Sequence, residues 1–203
     1  MRYRPEHGAQ TRERIVQSAR ALFNRHGFET VSIDRIMAHA GLTRGGFYRH
    51  FRSKAELYRA ALEDGMLRPL HGIPRECAAS DVGRTLIEAY LSREHLQQVD
   101  RLCPMVALPS DVARADPAVK RVFESIFVAM KDLFRRGLRD PGSADGDERA
   151  LAVTALCVGS MTVCRGFDDR ELGDAVRAAA RRLALELCGL QDSVSRRRPR
   201  RAR

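Results

Sequence analysis

Tryptophan is absent from the sequence, and no two of its five cysteines have the Cys-x-x-Cys spacing. An odd number of cysteines without that spacing argues against a disulfide framework and against a zinc site. The polar, basic N-terminus lacks a signal-peptide pattern, and no apolar run approaches the ~18 residues of a membrane span. These absences predict a cytoplasmic protein with free thiols and without a metal, a cofactor or a membrane partner.

Catalytic motifs are missing as well. The sequence contains no Gly-x-Ser-x-Gly motif, no glycine-rich phosphate loop and no His/Asp cluster with metal-ligand spacing. Its six histidines are scattered along the chain. We therefore expect that the protein is not an enzyme of the hydrolase or transferase classes, nor an enzyme at all.

Positive charge is abundant but unevenly distributed, and the formal net charge is +10. Residues 1–60 contain 12 Lys and Arg against 5 Asp and Glu, and residues 191–203 contain 6 Arg against one Asp. The intervening residues 61–190 hold 18 basic and 20 acidic side chains. Basic ends around a nearly neutral middle indicate a polyanion-binding end joined to a module with another task.

Apolar residues recur at helical spacing throughout, and alternation at period 2 is nowhere sustained, so the sequence predicts an all-α fold. The stripe formed by Ile15, Ala19, Leu22 and Phe23 predicts a first helix over about 9–25. The other helices, about nine in total, are expected near 33–39 (capped by Ser32), 42–51, 54–70, 81–98, 105–115, 117–139, 147–165 and 170–190.

The stretch 42–51 has the features of the second half of a helix-turn-helix. It follows Ala40-Gly41, a typical corner, and the Thr43 hydroxyl is predicted to cap its helix. Phe47 and Phe51 lie four residues apart and are expected in the core. The outward side is left to Arg44, Tyr48 and Arg49. A short basic helix beyond a tight turn suits the major groove of DNA.

Apolar, glycine, aromatic and lysine positions fall in one register across the first 60 residues, at Thr11–Ile15, Ala19, Leu22-Phe23, Gly27–Ile36, Ala40–Phe51, Lys54 and Leu57. In this pattern the chain resembles the TetR family of transcriptional regulators. The resemblance implies an all-α homodimer with a three-helix, N-terminal helix-turn-helix domain and an α-helical ligand-binding and dimerisation domain. We expect the first domain at 1–53, with its helix-turn-helix at about 33–52, the second at 54–190 and a basic, disordered tail at 191–203.

The resemblance also implies which residues contact a palindromic, double-stranded DNA operator. Arg44 occupies a base-contacting position, and Gly45-Gly46 allows close approach of the backbone. Tyr48 and His50 match phosphate-contacting positions, and so does Lys54, where the ammonium and the helix dipole both favour an anion. The complete set of expected DNA-binding residues is Ser32, Arg35, Thr43, Arg44, Gly45, Gly46, Tyr48, His50 and Lys54.

Asp34 departs from the family pattern, because some members have a base-reading arginine at this position of the second helix. Its carboxylate would accept a hydrogen bond from cytosine or form an ion pair with a neighbouring arginine, and the sequence leaves both open. Base readout is therefore assigned to Arg44 and the Gly45-Gly46 backbone, with Tyr48 and His50 positioning the protein.

The neutral part of the chain contains the candidates for effector binding. The simplest interpretation of its Met and Phe residues is that they belong to the apolar core. In the TetR family, however, the same helices enclose an apolar cavity that binds a ligand. Cys103 precedes Pro104 at a predicted helix start, where a helix dipole lowers a thiol pKa, and segment 103–114 resembles electrophile- and oxidant-responsive repressors of the family. The alternative is a buried, structural Cys103. The candidate pocket and sensing residues are Met66, Cys103, Met105, Phe123, Phe127 and Met161.

Small and aliphatic stripes on the last two helices suit a two-fold, four-helix interface, so we expect a homodimer. The expected function is that of a dimeric repressor. A small apolar ligand of unknown identity, or modification of a cysteine by an electrophile or oxidant, would release it from its operator. The alternative is a non-specific architectural nucleic-acid-binding protein.

Overall fold

The computed structural model describes residues 5–67 and 79–190, with the side chains of 8–64 and 82–190. These residues are all-helical without a strand, which confirms the predicted fold class. The tail at 191–203 lies outside the described residues. The α-helices are α1 (Pro5–His26), α2 (Ile33–His39), α3 (Lys54–Leu67), α4 (Ala79–Tyr90), α5 (Arg93–Gln97), α6 (Pro104–Ala107), α7 (Pro109–Arg114), α8 (Pro117–Arg136), α9 (Gly146–Cys164) and α10 (Arg170–Leu187).

The described residues also contain two 3-10 segments, η1 at Arg44–Arg49 and a short turn at Val99–Arg101.

Two helices that the sequence predicts as continuous are each divided into two in the structure. The helix expected at 105–115 is divided into α6 and α7, because Pro109 lacks an N–H and disfavours helical backbone at Leu108, which has φ −128° and ψ 19°. The helix expected at 81–98 is divided into α4 and α5, and Ser92, a residue type favoured at N-caps, precedes α5.

The chain forms two compact units. The first comprises Met1–Arg75 and Arg93–Ala129, and the second comprises Glu76–Ser92 and Met130–Arg203. The division falls within α8, whereas the domain boundary expected near residue 53 stays a prediction. Across the described residues, no helix combines the length and the hydropathy needed to span a bilayer.

The core of the first unit forms where α1 packs against α3. The predicted stripe of α1 is buried, with Ile15 and Ala19 fully inaccessible to solvent. Phe23 meets the buried Tyr58 edge to face, with ring centroids 5.1 Å apart. Apolar burial of this kind is the main stabilising contribution to such a small helical core. It also fixes α1, against which α2 packs.

The second unit is built around the packing of α9 against α10. A close backbone contact between Gly83 in α4 and Gly137 after α8 also belongs to it. A Cβ added at Gly83 would lie 2.2 Å from the Gly137 carbonyl oxygen, so only glycine permits this approach. Arg177 donates to the Leu91 carbonyl at 3.0 Å, which ties α10 to the end of α4.

Candidate nucleic-acid interface

The helix α2 begins at a side-chain cap. The Ser32 hydroxyl oxygen accepts a hydrogen bond from the Arg35 backbone N–H at 3.2 Å, as the sequence predicts. This contact satisfies one of the N–H groups that have no partner within the helix. The Ser32 and Arg35 side chains are exposed beside each other, and the Arg35 guanidinium lies 2.8 Å from His26 Nε2.

The corner after α2 is a complete Schellman motif. Gly41 has φ +67°, the Leu42 N–H donates to the Met37 carbonyl at 2.8 Å, and the Gly41 N–H donates to the Ala38 carbonyl at 3.0 Å. Arg14 of α1 donates to the Ala40 carbonyl at 2.7 Å. These bonds satisfy the carbonyls of Met37, Ala38 and Ala40, and the last of them ties the corner to α1.

The element after the corner is the 3-10 helix η1 rather than an α-helix. Thr43 has the extended backbone of an N-cap, but its hydroxyl makes no capping hydrogen bond, so the predicted Thr43 side-chain cap is wrong. In a 3-10 helix the backbone closes i to i+3, and the Gly46 N–H donates to the Thr43 carbonyl at 3.0 Å. Consecutive glycines also favour a short, tight segment over a longer α-helix.

Phe47 and Phe51 anchor η1 in the core, as predicted. Both rings are almost completely buried, and their centroids lie 5.9 Å apart. Tyr48 is 60% exposed and contacts Phe47 edge to face, with centroids 5.2 Å apart. A Cβ added at Gly45 would have no neighbour within 4 Å, so the backbone there is open to an approaching molecule.

The other predicted DNA-contacting side chains are distributed around this segment. Thr43, Arg44 and Gly45 are exposed, and Gly46 and His50 are half-buried. Ser53 caps α3 by accepting from the Glu56 N–H at 3.1 Å. The structure thus places the N-terminus of α3 just beyond η1, and it exposes most of the expected set.

Asp34 makes the ion pair that the sequence left open. Its Oδ2 accepts from Arg44 Nη1 at 2.8 Å, linking the first turn of α2 to the start of η1. Both side chains are more than half exposed. The acidic residue of α2 therefore engages the expected base-reading arginine.

Lys54, at the start of α3, is directed toward the corner between α1 and α2. Its Nζ lies 4.3 Å from the Phe28 ring centroid and 3.4 Å from the Glu29 carbonyl oxygen. Partial burial lowers the pKa of Lys54, and the nearby carboxylates of Glu29 and Asp111 act in the opposite direction. To contact a DNA phosphate, the Lys54 ammonium must therefore either move away from the Phe28 ring or bind the phosphate in its present position.

The candidate pocket residues are divided between the two units. Cys103 and Met105 are buried and Phe123 and Phe127 half-buried in the first unit, and Met161 is buried in the second. The Met66 side chain lies outside the described residues. A cavity of about 90 Å³ in the first unit is lined instead by other residues, including Phe28, Tyr58 and Asp111. No pattern in the sequence indicates this cavity.

The described cysteines are free thiols and all four are buried. Burial raises the pKa of Cys157 to about 12 and that of Cys188 to about 11. Burial also raises the pKa of Cys164. Because the thiolate is the nucleophile, these three cysteines are poor candidates for a reactive sensor.

Sequence reasoning missed a polar latch that fastens α1 to the segment before Cys103; we define it as Arg20 and Asn24 with their partners. Arg20 is 5% exposed; it pairs with Asp64 at 3.2 Å and donates to the Arg101 carbonyl at 2.7 Å. Asn24 donates to the carbonyls of Val99 and Leu102, each at 3.1 Å. Two polar residues at buried positions of an amphipathic helix were the available signal.

Asp111 of α7 contacts the residues that directly follow α1. Its Oδ2 accepts from the Phe28 N–H at 3.3 Å, and a Cβ added at Gly27 would lie 3.0 Å from that oxygen. Gly27 has φ +76°, so glycine is required there for the backbone as well. Within the first unit, α7 is therefore in direct contact with the end of α1.

An all-helical chain with this capped corner, a buried aromatic anchor and an exposed basic segment has the architecture of a helix-turn-helix regulator. Residues 15–61 match the family described as "Bacterial regulatory proteins, tetR family". The chain is 36% identical over 170 residues to the HTH-type transcriptional regulator TtgR of Pseudomonas putida, covering 76% of this chain and 80% of TtgR. The chain belongs to the TetR family of bacterial regulatory proteins.

Two further similarities support this assignment. The chain is 30% identical over 103 residues to YfiR of Bacillus subtilis, an HTH-type transcriptional regulator, so it aligns with 50% of that relative's length and 49% of its own. Among solved structures, the SmeT–triclosan complex matches with a TM-score of 0.65 and 25% identity over 87% of this chain and 90% of SmeT.

Proposed function

We propose that the protein is a sequence-specific DNA-binding transcriptional regulator that acts as a dimeric repressor. The observation that carries the proposal is the segment Arg44–Tyr48, which exposes Arg44, Gly45 and Tyr48. It lies beyond a Schellman corner and is anchored by buried Phe47 and Phe51. Anchoring of this kind pre-organises the contacting groups, which lowers the entropic cost of binding.

The proposed roles are those that the resemblance to the TetR family implies, and most of these residues are exposed. Arg44 and the Gly45-Gly46 backbone read base edges in the major groove, where arginine forms bidentate contacts with guanine. Arg35 extends the basic surface from α2. Phosphate contacts are assigned to Ser32, Thr43, Tyr48, His50 and Lys54.

The primary test is selection of DNA from a random duplex pool by the purified full-length protein. We expect a palindromic site preferred at least ~10-fold over random DNA, and binding that weakens with salt at a log–log slope of roughly −0.9 per neutralised phosphate. Equal binding at 50 mM and 500 mM salt would rule out this role. Selection without any preferred sequence would favour the non-specific architectural protein instead.

We further propose a homodimer formed through α9 and α10. Leu151 and Val163 of α9 are about half exposed, as are Leu172 and Leu183 of α10. Exposed Ala155 and Gly159 continue the α9 stripe at four-residue intervals. Large aliphatic side chains on two adjacent helices are expected to be buried against a second copy, which gives the two-fold symmetry of a palindromic operator.

Release from DNA is proposed to follow a small apolar ligand or modification of Cys103. The solved SmeT structure is a complex with triclosan, so a fold similar to this one holds a small molecule. In this chain the polar latch joins α1 to residues 99–102, which directly precede Cys103. Movement of this segment would therefore be transmitted to the helix that supports the corner, with coupling energies of about 1–3 kcal/mol typical for such effects.

A further inference from the structure

The ion pair between Asp34 and Arg44 lies at the surface that we assign to DNA. Its two side chains are 55% and 63% exposed, and one hydrogen bond of 2.8 Å joins them. Exposed pairs of this kind contribute little to stability, because water solvates both charges well. The main effect of the pair is therefore on the orientation of the Arg44 side chain.

The contact leaves one edge of the Arg44 guanidinium available. Asp34 engages Nη1, whereas the side edge of the guanidinium is formed by Nε and Nη2. In the part of the chain that the structure describes, no hydrogen bond involves Arg44 Nε or Nη2. That edge presents two parallel N–H donors, the arrangement that guanine O6 and N7 accept together.

The carboxylate also changes the response of Arg44 to phosphate. A lone arginine on a DNA-facing surface is attracted to any phosphate, and this attraction has no sequence preference. With Asp34 held at 2.8 Å, the pair is neutral overall, and a phosphate approaching Arg44 meets the carboxylate as well. Unfavourable contacts with the wrong partner are a general source of specificity.

We propose that Asp34 is a positioning residue that holds Arg44 for guanine readout and reduces its attraction to the phosphate backbone. Asp34 thereby increases discrimination between DNA sequences, while it lowers the affinity for DNA of any sequence. The inference rests on the proposed function, since it requires specific DNA binding. It differs from a direct contact between Asp34 and cytosine, because Asp34 acts through Arg44.

The test uses the full-length protein, the duplex obtained by selection, and duplexes with single base-pair changes in each half-site. In Asp34→Ala, we expect discrimination at one G·C pair to fall about fivefold or more. Binding to random duplex should tighten, and the magnitude of the salt slope should rise by roughly 0.9. The control is Glu124→Ala, which removes another exposed carboxylate, from α8, and should change none of these quantities.

A double-mutant cycle with Arg44→Ala separates positioning from direct contact. In the Arg44→Ala background, adding Asp34→Ala should leave base discrimination unchanged, because the effect requires Arg44. An equal loss in both backgrounds would overturn the proposal in favour of a direct base contact. Unchanged discrimination in Asp34→Ala alone would also overturn it. A wild-type protein that selects no sequence would instead refute the proposed function.

Discussion

At the scale of single residues, Gly41 holds the corner between α2 and η1 at φ +67°, which residues with a Cβ rarely adopt. A Cβ at this position would also lie 3.3 Å from Arg14 Nη2, the group that donates to Ala40. We expect Gly41→Ala to lower the free energy of unfolding by about 1–2 kcal/mol, measured by urea denaturation.

Gly45→Ala is the matched control for stability. Gly45 is not among the positive-φ glycines of the described chain, and an added Cβ there meets nothing within 4 Å. Stability should therefore be unchanged or slightly higher, because alanine restricts the unfolded chain. A loss of stability equal to that of Gly41→Ala would contradict the role given to the corner.

Thiol reactivity separates the cysteines. With pKa values raised by burial to about 12 and about 11, Cys157 and Cys188 contain almost no thiolate at pH 8. We expect iodoacetamide to modify them only after unfolding, as mass spectrometry of the native protein would show. Unfolding removes the burial that raises both pKa values, so the two thiols should then react at pH 8 like ordinary exposed thiols.

Cys103 is the cysteine whose modification is proposed to release the protein from DNA. If it is the proposed sensor, brief alkylation of the native protein should label Cys103 and reduce DNA binding, and Cys103→Ser should abolish the response. An inert Cys103 in the native protein would remove the cysteine route and leave a small ligand as the effector.

At the scale of elements, the latch between α1 and residues 99–102 depends on buried polar groups. Asn24→Ala would leave the Val99 and Leu102 carbonyls without their side-chain donor, at a cost of about 1–3 kcal/mol in the free energy of unfolding. Gln17→Ala on the exposed side of α1 is the control, and should change stability by less than about 0.5 kcal/mol. Similar losses in both variants would argue against the latch.

The same elements show what local pattern can predict. The apolar stripe of α1, the Ser32 cap and the burial of Phe47 and Phe51 were predictable, because each depends on residues within one or two helical turns. The latch was not, because the backbone carbonyls that it contacts lie 75 to 81 residues away in sequence.

In η1, the positions of the side chains of Arg44–Tyr48 were predictable, but the 3-10 form of the backbone was not. Residue periodicity identifies a helical turn without distinguishing 3-10 from α geometry over six residues. The direction of the Lys54 side chain depends on the Phe28 ring and the Glu29 carbonyl, which belong to another helix corner. Family resemblance identified the positions, and tertiary contacts determine how each side chain is presented.

At the scale of the whole molecule, dimerisation can be tested at Gly159. An added Cβ there meets nothing within 4 Å of the protomer, so Gly159→Arg should not disturb the fold. We expect it to shift the protein from dimer to monomer in sedimentation at micromolar concentration and to weaken operator binding. Gly142→Arg, at an equally open loop position, should remain dimeric. A monomeric wild-type protein would contradict the proposed interface.

The exposure of Tyr48 has a spectroscopic consequence. The chain contains four tyrosines and no tryptophan, so its ultraviolet emission comes from tyrosine alone. Among the described tyrosines, Tyr58 and Tyr90 are buried while Tyr48 is 60% exposed. An aqueous quencher such as iodide should therefore act on Tyr48 far more than on Tyr58 and Tyr90. The part of the quenching that disappears in Tyr48→Phe is the signal of this ring, and its loss when DNA binds would make Tyr48 an intrinsic, label-free probe of the interface.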